Sequence, residues 1–313
     1  MSAAASRLPE ELIREILSYL LATDETTFCA FTEYGRPRCR GSRWRELVQH
    51  RAPSRTRPLL VSKQWLRIGT PLLYEKVFLF ETSRTKIMAQ LVKANPAVGR
   101  AIRYLRLEGG MGKDFSAIVK HAPNIHTLWI TANVRGADSI AGLRKAAQMM
   151  QPRTLYFTSN SFRINKAKEE IEKIVSSAIA ERWTSLESAM FCDNSRIGVD
   201  LSRALCSAPA LREIFVGTEF FFLRWIEGGA FATVAKNESL ECVTFVRILS
   251  ARKDETAFLE AAKARGLNEH EIGLFKFVDP QPGSAWVDEQ DPIDRNFAMM
   301  LDPLTSDEED PLL

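Results

Sequence analysis

The sequence has no long apolar run and no apolar leader at its start. None of its 313 residues belongs to a run of about eighteen consecutive apolar residues, so we predict no membrane span. Glu10, Glu11, Arg14 and Glu15 interrupt the apolar pattern of the first twenty residues, so we expect no signal peptide. With 45% hydrophobic and 26% charged residues, the composition is that of a folded globular protein.

Cysteine is scarce and irregularly placed. The five cysteines are odd in number and lack the short paired spacings of a zinc site or of a secreted disulfide framework. They are Cys29, Cys39, Cys192, Cys206 and Cys242. Isolated thiols are typical of a reducing compartment, which predicts a cytoplasmic or nuclear protein.

Motifs for catalysis and for cofactor binding are missing as well. Residues 109–113 read Gly-Gly-Met-Gly-Lys, but Leu107 and Asp114 replace the glycine and the hydroxyl residue of a phosphate-binding loop, so we predict a turn. The four histidines form no metal pattern, because a proline between His121 and His126 would break any helix that aligned them. No Gly-x-Ser-x-Gly motif occurs. We therefore predict no catalytic residue, no metal and no cofactor.

The charges are distributed unevenly, although the net charge is only +3. Eight arginines between residues 36 and 57 form an almost purely basic stretch, for which a solvated loop is the favoured interpretation. Nucleic-acid phosphates, an acidic partner and the protein's own tail are the alternative ligands. That tail, residues 279–313, is acidic apart from Arg295 and holds five prolines, so we predict that it is disordered.

The N-terminal segment has the pattern of an amphipathic helix. Apolar residues at positions 12, 13, 16, 17 and 20 form one stripe, and Pro9 suits the first helical position. A helix of this length needs packing partners, which we expect in the apolar segment from Leu59 to Tyr74. That second segment predicts a helix ended by Gly69 and Pro71, and then a short strand over residues 76–80.

These two segments together resemble the F-box. The resemblance rests on Leu-Pro-Glu-Glu-Leu at residues 8–12 with Ile16 and Leu17, and on Leu-Val-Ser-Lys-Gln-Trp at 60–65, followed by Pro-Leu-Leu-Tyr at 71–74 as in mushroom-forming fungi. It implies a small helical bundle that binds a Skp-family adaptor, and through it a cullin scaffold. The implied adaptor-binding residues are Leu8, Pro9, Leu12, Ile16, Leu17, Val61 and Trp65. The family usually joins the halves by a short turn, whereas here residues 25–58 form an insertion.

A second pattern recurs from residue 100 onward. An apolar residue is followed by a second one three positions later and a third two positions after that, usually just after Pro or Asn. The copies end at Leu107, Ile130, Val216, Phe245 and Phe277, with weaker ones at Phe157 and Phe191. Helical stretches at 139–150, 165–183 and 256–265 separate some of them. The spacing predicts an α/β fold, namely an irregular leucine-rich-repeat-like solenoid of parallel strands and helices. A non-repeating α/β domain is the alternative.

In such a solenoid the residue between the last two apolar positions of each copy faces the concave side. In chain order these residues are Arg106, Trp129, Tyr156, Met190, Phe215, Thr244 and Lys276. The four central members are large and apolar, so we predict that Trp129, Tyr156, Met190 and Phe215 form a substrate-docking patch. The alternative is that another segment covers them, in which case they are core residues.

The sequence therefore predicts a non-catalytic adaptor of an SCF-type (Skp-cullin-F-box) ubiquitin ligase. Residues 7–80 form the F-box, residues 81–278 recognise a protein substrate, and residues 279–313 form the tail. Two alternatives stay open: a repeat-type interaction module that acts outside a ligase, and a nucleic-acid binder that uses the Arg-rich stretch. We expect no membrane partner.

Overall fold

The computed structural model describes residues 8–23, 28, 56–132, 134, 139–159, 166–192, 197–216, 219–246 and 255–278. The predicted tail lies outside these residues. The insertion predicted at residues 25–58, which contains the basic stretch, also lies outside them, apart from Phe28 and residues 56–58. The flanks of several strands lie outside them as well.

Two helices and a short 3-10 turn form the N-terminal bundle. Helix α1 (Glu10–Leu21) begins one residue later than predicted, because Pro9 is its N-cap and not its first residue, and it carries Glu10 and Glu11 in its first turn beside the positive end of the helix dipole. The 3-10 turn (Arg57–Leu60) leads into α2 (Lys63–Leu73), where the hydroxyl of Ser62 accepts a hydrogen bond from the Trp65 N–H. The elements pack through a small apolar core, which consists of Ile13, Leu17, Leu21, Leu59 and Ile68.

Helix α2 runs through both residues that were predicted to end it. Gly69 is buried where the helices cross, and a methyl group there would meet Leu59 and lie 2.8 Å from Leu21 Cδ1. Glycine is therefore needed for close packing rather than for a break. Pro71 removes one helical hydrogen bond, and a proline inside a helix costs about 3 kcal/mol. Packing of Leu72 and Leu73 against the bundle core offsets this cost, so the helix continues to Leu73.

After Tyr74 the chain alternates between strands and helices. The eight described strands are β1 (Lys76–Leu79), β2 (Tyr104–Leu107), β3 (Thr127–Thr131), β4 (Thr154–Thr158), β5 (Ser188–Cys192), β6 (Glu213–Val216), β7 (Cys242–Val246) and β8 (Phe275–Val278). The ten further helices described are α3 (Thr82–Ala94), α4 (Pro96–Ala101), α5 (Lys113–His121), α6 (Ala141–Ala147), α7 (Lys166–Glu181), α8 (Val199–Ser207), α9 (Glu219–Glu227), α10 (Ala230–Val234), α11 (Glu255–Ala264) and α12 (Glu269–Gly273). Within the described ranges, no helix has the length and apolar character of a membrane span.

The predicted repeat copies coincide with strands. All seven fall on β2 to β8, including the two weaker copies at β4 and β5. The three predicted helical stretches are α6, α7 and α11. Asn95 ends α3 and caps α4, since its side-chain oxygen accepts a hydrogen bond from the Ala97 N–H at 3.2 Å. The Gly-rich stretch at 109–113 is the predicted turn between β2 and α5.

The strands form one parallel sheet in chain order, from β1 to β8. Helices that follow one another pack side by side, and the apolar core lies between them and one face of the sheet, which we call the back face. The opposite face is called the front face. Strand β1, which the predicted boundary at residue 80 assigned to the bundle, pairs with β2 and is the first strand of the sheet. The protein is therefore α/β, with a single eight-stranded parallel sheet in its described residues.

Backbone hydrogen bonds also join successive strands at the residue that precedes each strand. The carbonyl oxygen of Arg103 accepts hydrogen bonds from the N–H groups of both His126 and Thr127. The same arrangement recurs along a row of residues that consists of Glu75, Arg103, His126, Arg153, Glu187 and Arg212. Their charges alternate in part, and Arg153 lies 3.9 Å from Glu187. Both side chains of this pair are exposed, so the ion pair adds little stability.

His126 lies in this row between two cations. Its ring packs edge-on against Tyr104 at a centroid distance of 4.7 Å, and Nδ1 lies 3.0 Å from the Thr127 hydroxyl oxygen. Burial lowers the pKa of His126, the charges of Arg103 and Arg153 lower it further, and Glu75 partly opposes them. The folded state therefore favours the neutral imidazole.

We expect the free energy of unfolding to fall as the pH is lowered from about 7.5 to about 5.5. Below about pH 6.5 the unfolded chain binds a proton at His126 that the folded chain binds only at lower pH. Chemical unfolding at both pH values should show a smaller fall for His126→Gln. Arg103→Gln should also reduce the fall in the free energy of unfolding, because it removes one cation that repels the protonated His126 ring. Equal pH dependence in wild type and His126→Gln would contradict this account.

A cluster of aromatic rings closes the C-terminal end of the sheet. Phe222 of α9 is fully buried at its centre. Its ring centroid lies 4.8 to 6.3 Å from those of four other phenylalanines, which are Phe231, Phe245, Phe258 and Phe275. Helix α12 adds a capping box, in which Asn268 and Glu271 satisfy each other's backbone N–H groups. Ring packing thus holds α9, α10 and α11 against the last two strands, β7 and β8.

Candidate interaction surfaces

Exposed apolar side chains are concentrated in the N-terminal bundle. Of the eleven exposed large apolar residues in the described part of the chain, eight lie there: Leu8, Leu12, Ile16, Tyr19, Leu20, Leu60, Val61 and Leu66. Four of them follow one another at every fourth residue from Leu8 to Leu20; Leu12, Ile16 and Leu20 form one stripe along α1, and Leu8 lies just before the helix. Because single exposed apolar residues are normal but contiguous ones mark contact sites, this stripe is a candidate interface.

The structure divides the predicted adaptor-binding residues between this surface and the bundle core. Leu8, Pro9, Leu12, Ile16 and Val61 are exposed. Leu17 is fully buried against α2, so its assignment as a contact residue is corrected: it supports the surface from inside. The sequence could not make this division, because buried and exposed apolar residues of α1 occupy adjacent positions, such as Ile16 and Leu17, and periodicity does not say which of the two faces α2.

Trp65 occupies an intermediate position. Its ring packs against the bundle core and is partly exposed. Its indole nitrogen is buried, and among the described residues it has no hydrogen-bond acceptor. An unpaired buried donor costs roughly 1 to 3 kcal/mol. Trp65 therefore belongs to the core, with one edge at the surface.

The predicted row on the sheet is present and in register. Arg106 pairs with Trp129, Trp129 with Tyr156, and Tyr156 with Met190 across neighbouring strands. The row then continues through Phe215, Thr244 and Lys276. The apolar residues on either side of each member lie in the core on the back face. Phe78 of β1 is a further member that sequence reasoning missed, because β1 was assigned to the bundle.

One end of this row is a continuous stack. The guanidinium carbon of Arg106 lies 4.8 Å from the Phe78 ring centroid and 4.0 Å from that of Trp129. Trp129 and Tyr156 are stacked almost in parallel, at 5.0 Å and 7°. Arg106 also pairs with the buried carboxylate of Glu108, through Nε at 2.9 Å and Nη2 at 2.5 Å. The Arg106 guanidinium is therefore packed between two aromatic rings and hydrogen-bonded to Glu108.

The four residues of the predicted docking patch differ in accessibility. Tyr156, Met190 and Phe215 are partly exposed, whereas Trp129 is only 1% exposed. Trp129 is thus corrected from a contact residue to a buried member of the stack, because Arg106 and Tyr156 occupy its two ring faces. Lys276 at the far end of the row is exposed, and Thr244 is buried and donates a hydrogen bond to Glu213 at 2.8 Å.

Phe28 lies against this face, although it belongs to the insertion between the two halves of the bundle. Its ring meets Tyr104 edge-on at 5.8 Å, and its side chain is 3% exposed. The carbonyl oxygen of Phe28 accepts a hydrogen bond from Nη1 of Arg106. No local signal in the sequence pointed to this contact, which joins residues 78 positions apart.

The described residues hold no group of three or more His, Cys, Asp or Glu side chains that could bind a metal ion. Cys242 lies on the front face beside Glu213 and Thr244, and burial is the main cause that raises the pKa of its thiol. A raised pKa favours the protonated thiol over the reactive thiolate. Burial also raises the pKa of Glu172, whereas the charge of Lys168 and a hydrogen bond from Ser159 lower that pKa by less.

Comparison with models of known protein families gives no match, and comparison with curated protein sequences gives none either.

Proposed function

We propose that this protein is a substrate-recognition adaptor of an SCF-type ubiquitin ligase. In this proposal the N-terminal bundle is an F-box that binds a Skp-family adaptor and, through it, a cullin scaffold. The sheet with its helices is a leucine-rich-repeat-like solenoid that recognises a protein substrate. The protein is not itself an enzyme, and it acts in the cytoplasm or the nucleus.

The observation that carries the proposal is the second apolar face of α1. Ile13, Leu17 and Leu21 already bury one side of this helix against α2. Leu12 and Ile16 point elsewhere and are 46% and 39% exposed. A helix in an isolated small bundle needs one apolar side, so a second one favours a partner protein. Burying it would contribute about 25 cal/mol per Å² of apolar surface.

The resemblance to the F-box indicates which partner this is. The exposed apolar residues of the bundle include four that match the F-box motif, which are Leu8, Leu12, Ile16 and Val61. The residues of the motif that the bundle buries, Leu17 above all, are those that keep α1 and α2 together. This division supports an interface with a Skp-family adaptor.

The front face supports the second half of the proposal. Tyr156, Met190 and Phe215 lie side by side on β4 to β6 and are partly exposed. Aromatic and methionine side chains are enriched at the centres of protein interfaces. Together they form a surface on which a substrate would bind while other subunits carry out ubiquitin transfer.

The test is direct binding of the purified full-length chain to a Skp-family adaptor. Size-exclusion chromatography should show a 1:1 complex, and isothermal titration calorimetry should show a negative heat-capacity change because the interface is apolar. A wild-type chain that binds no Skp-family adaptor under these conditions would overturn the proposal.

A further inference from the structure

Arg106 is a fixed hydrogen-bond donor on the front face. Its side chain is fully buried between the rings of Phe78 and Trp129, and Glu108 accepts hydrogen bonds from Nε and Nη2. These contacts leave little rotational freedom to the guanidinium. Its Nη1 therefore presents N–H groups in one direction, toward an acceptor above the face.

Phe28 supplies that acceptor in the structure. Its main-chain carbonyl oxygen takes the hydrogen bond from Arg106, and its ring contacts Tyr104, which is the neighbour of Arg106 on the same face of β2. Phe28 thus contacts the front face through two groups, its carbonyl oxygen at Arg106 and its aromatic ring at Tyr104. Both are features that any peptide segment containing an aromatic residue can provide.

We infer that Tyr104 and Arg106 form a binding site for an aromatic residue within a peptide segment, and that Phe28 occupies this site in cis as an exchangeable occupant. The partner class is a protein segment that presents an aromatic ring to Tyr104 and its own carbonyl oxygen to Arg106. The inference goes beyond the proposed function, and its test does not depend on adaptor binding.

The charges around the site agree with this occupant. Lys76 Nζ lies 5.0 Å from the Tyr104 ring centroid, and Arg103 is exposed directly before Tyr104 in the chain. The sequence around Phe28 contains acidic residues, which are Asp24, Glu25 and Glu33. Glu75, which precedes Lys76, places one carboxylate beside these two cations, so the neighbourhood of the site is positive by one charge and an acidic aromatic segment complements it.

The experiment measures binding of a fluorescein-labelled synthetic peptide of residues 22–34, with Cys29 replaced by Ser, to the full-length chain. We expect the Phe28→Ala variant to bind the peptide in fluorescence anisotropy. A tethered occupant has an effective concentration on the order of 1 mM, so wild type should bind at least about tenfold more weakly if the peptide's Kd is about 100 μM or tighter.

Matched controls separate this site from other surfaces. The peptide with Phe31→Ala should bind the Phe28→Ala protein as the parent peptide does, whereas the peptide with Phe28→Ala should not. Tyr104→Leu introduced into the Phe28→Ala protein should abolish binding. Phe28→Leu is tested in parallel because it keeps most of the buried apolar volume, and circular dichroism confirms that each variant is folded.

Two outcomes would overturn the inference. One is a folded Phe28→Ala protein that binds no peptide, which would mean that the contact is structural and not exchangeable. The other is equal binding by wild type and variant, or binding that survives Tyr104→Leu, since the peptide would then bind elsewhere. Either result leaves the adaptor proposal unaffected, because the Skp-family titration measures a different surface.

Discussion

The double variant Leu12→Asp with Ile16→Asp is expected to weaken binding to a Skp-family adaptor by about 100-fold or more. Both side chains are exposed in the isolated protein, so two carboxylates there are solvated and the fold is retained. In a complex the same carboxylates would be buried without partners, which is strongly unfavourable. Isothermal titration calorimetry of wild type and variant measures the difference.

The matched control for this variant is Ile87→Asp. Ile87 is also an exposed apolar residue on a helix, at 65% exposure, but it lies on α3 outside the bundle. It should leave adaptor binding and thermal stability unchanged. If the double variant binds the adaptor as tightly as Ile87→Asp does, the stripe on α1 is not the interface.

The alignment of the strands was predictable because it follows from a short-range rule. Side chains alternate between the two faces of a strand, so an apolar pair such as Leu105 and Leu107 fixes which face the residue between them occupies. Repetition of that spacing was enough to align Arg106, Trp129 and Tyr156 in one row, and the pairing of β2, β3 and β4 confirms it.

The end of α2 could not be predicted, because its cause is tertiary. Glycine and proline are local signals for a helix end, and the sequence from Gly69 to Pro71 contains both. In the folded chain Gly69 lies in contact with Leu59 and Leu21, which belong to other elements. A local pattern cannot distinguish a glycine that ends a helix from one that lets another helix approach.

Which residues of the front face are exposed could not be predicted from the sequence either. The pattern placed Trp129 on that face correctly, but its burial depends on Arg106 and Tyr156, which come from the two neighbouring strands. The contact of Phe28 with Arg106 joins a residue before α2 to one on β2, and nothing in either local sequence signals it. Sequence therefore predicted the side of the sheet on which each residue lies, but not which residues are covered.

The largest effect on stability is expected for Phe222→Ala. Phe222 is fully buried, and its ring lies 4.9 Å from Phe231 and 4.8 Å from Phe245. Removing a phenylalanine side chain from such a core costs about 3 to 5 kcal/mol, since the cavity adds to the lost transfer free energy. Urea unfolding followed by tryptophan fluorescence measures the change, and Trp225 reports on the same cluster, with its ring 5.6 Å from Phe222.

The control is Phe80→Ala, which removes a half-buried ring in contact with the Arg84 guanidinium at 4.2 Å. It should cost only about 2 kcal/mol, the sum of a partly exposed cation–π contact and the packing of the Phe80 ring against Phe78 at 5.8 Å. Because each strand pairs only with the strands beside it in the sheet, Phe222→Ala should increase hydrogen exchange in β6, β7 and β8 while the exchange in β2 and β3 stays at the wild-type rate. A uniform increase along the sheet would instead mean that all eight strands unfold as one cooperative unit, and the repeats would then not be energetically separable.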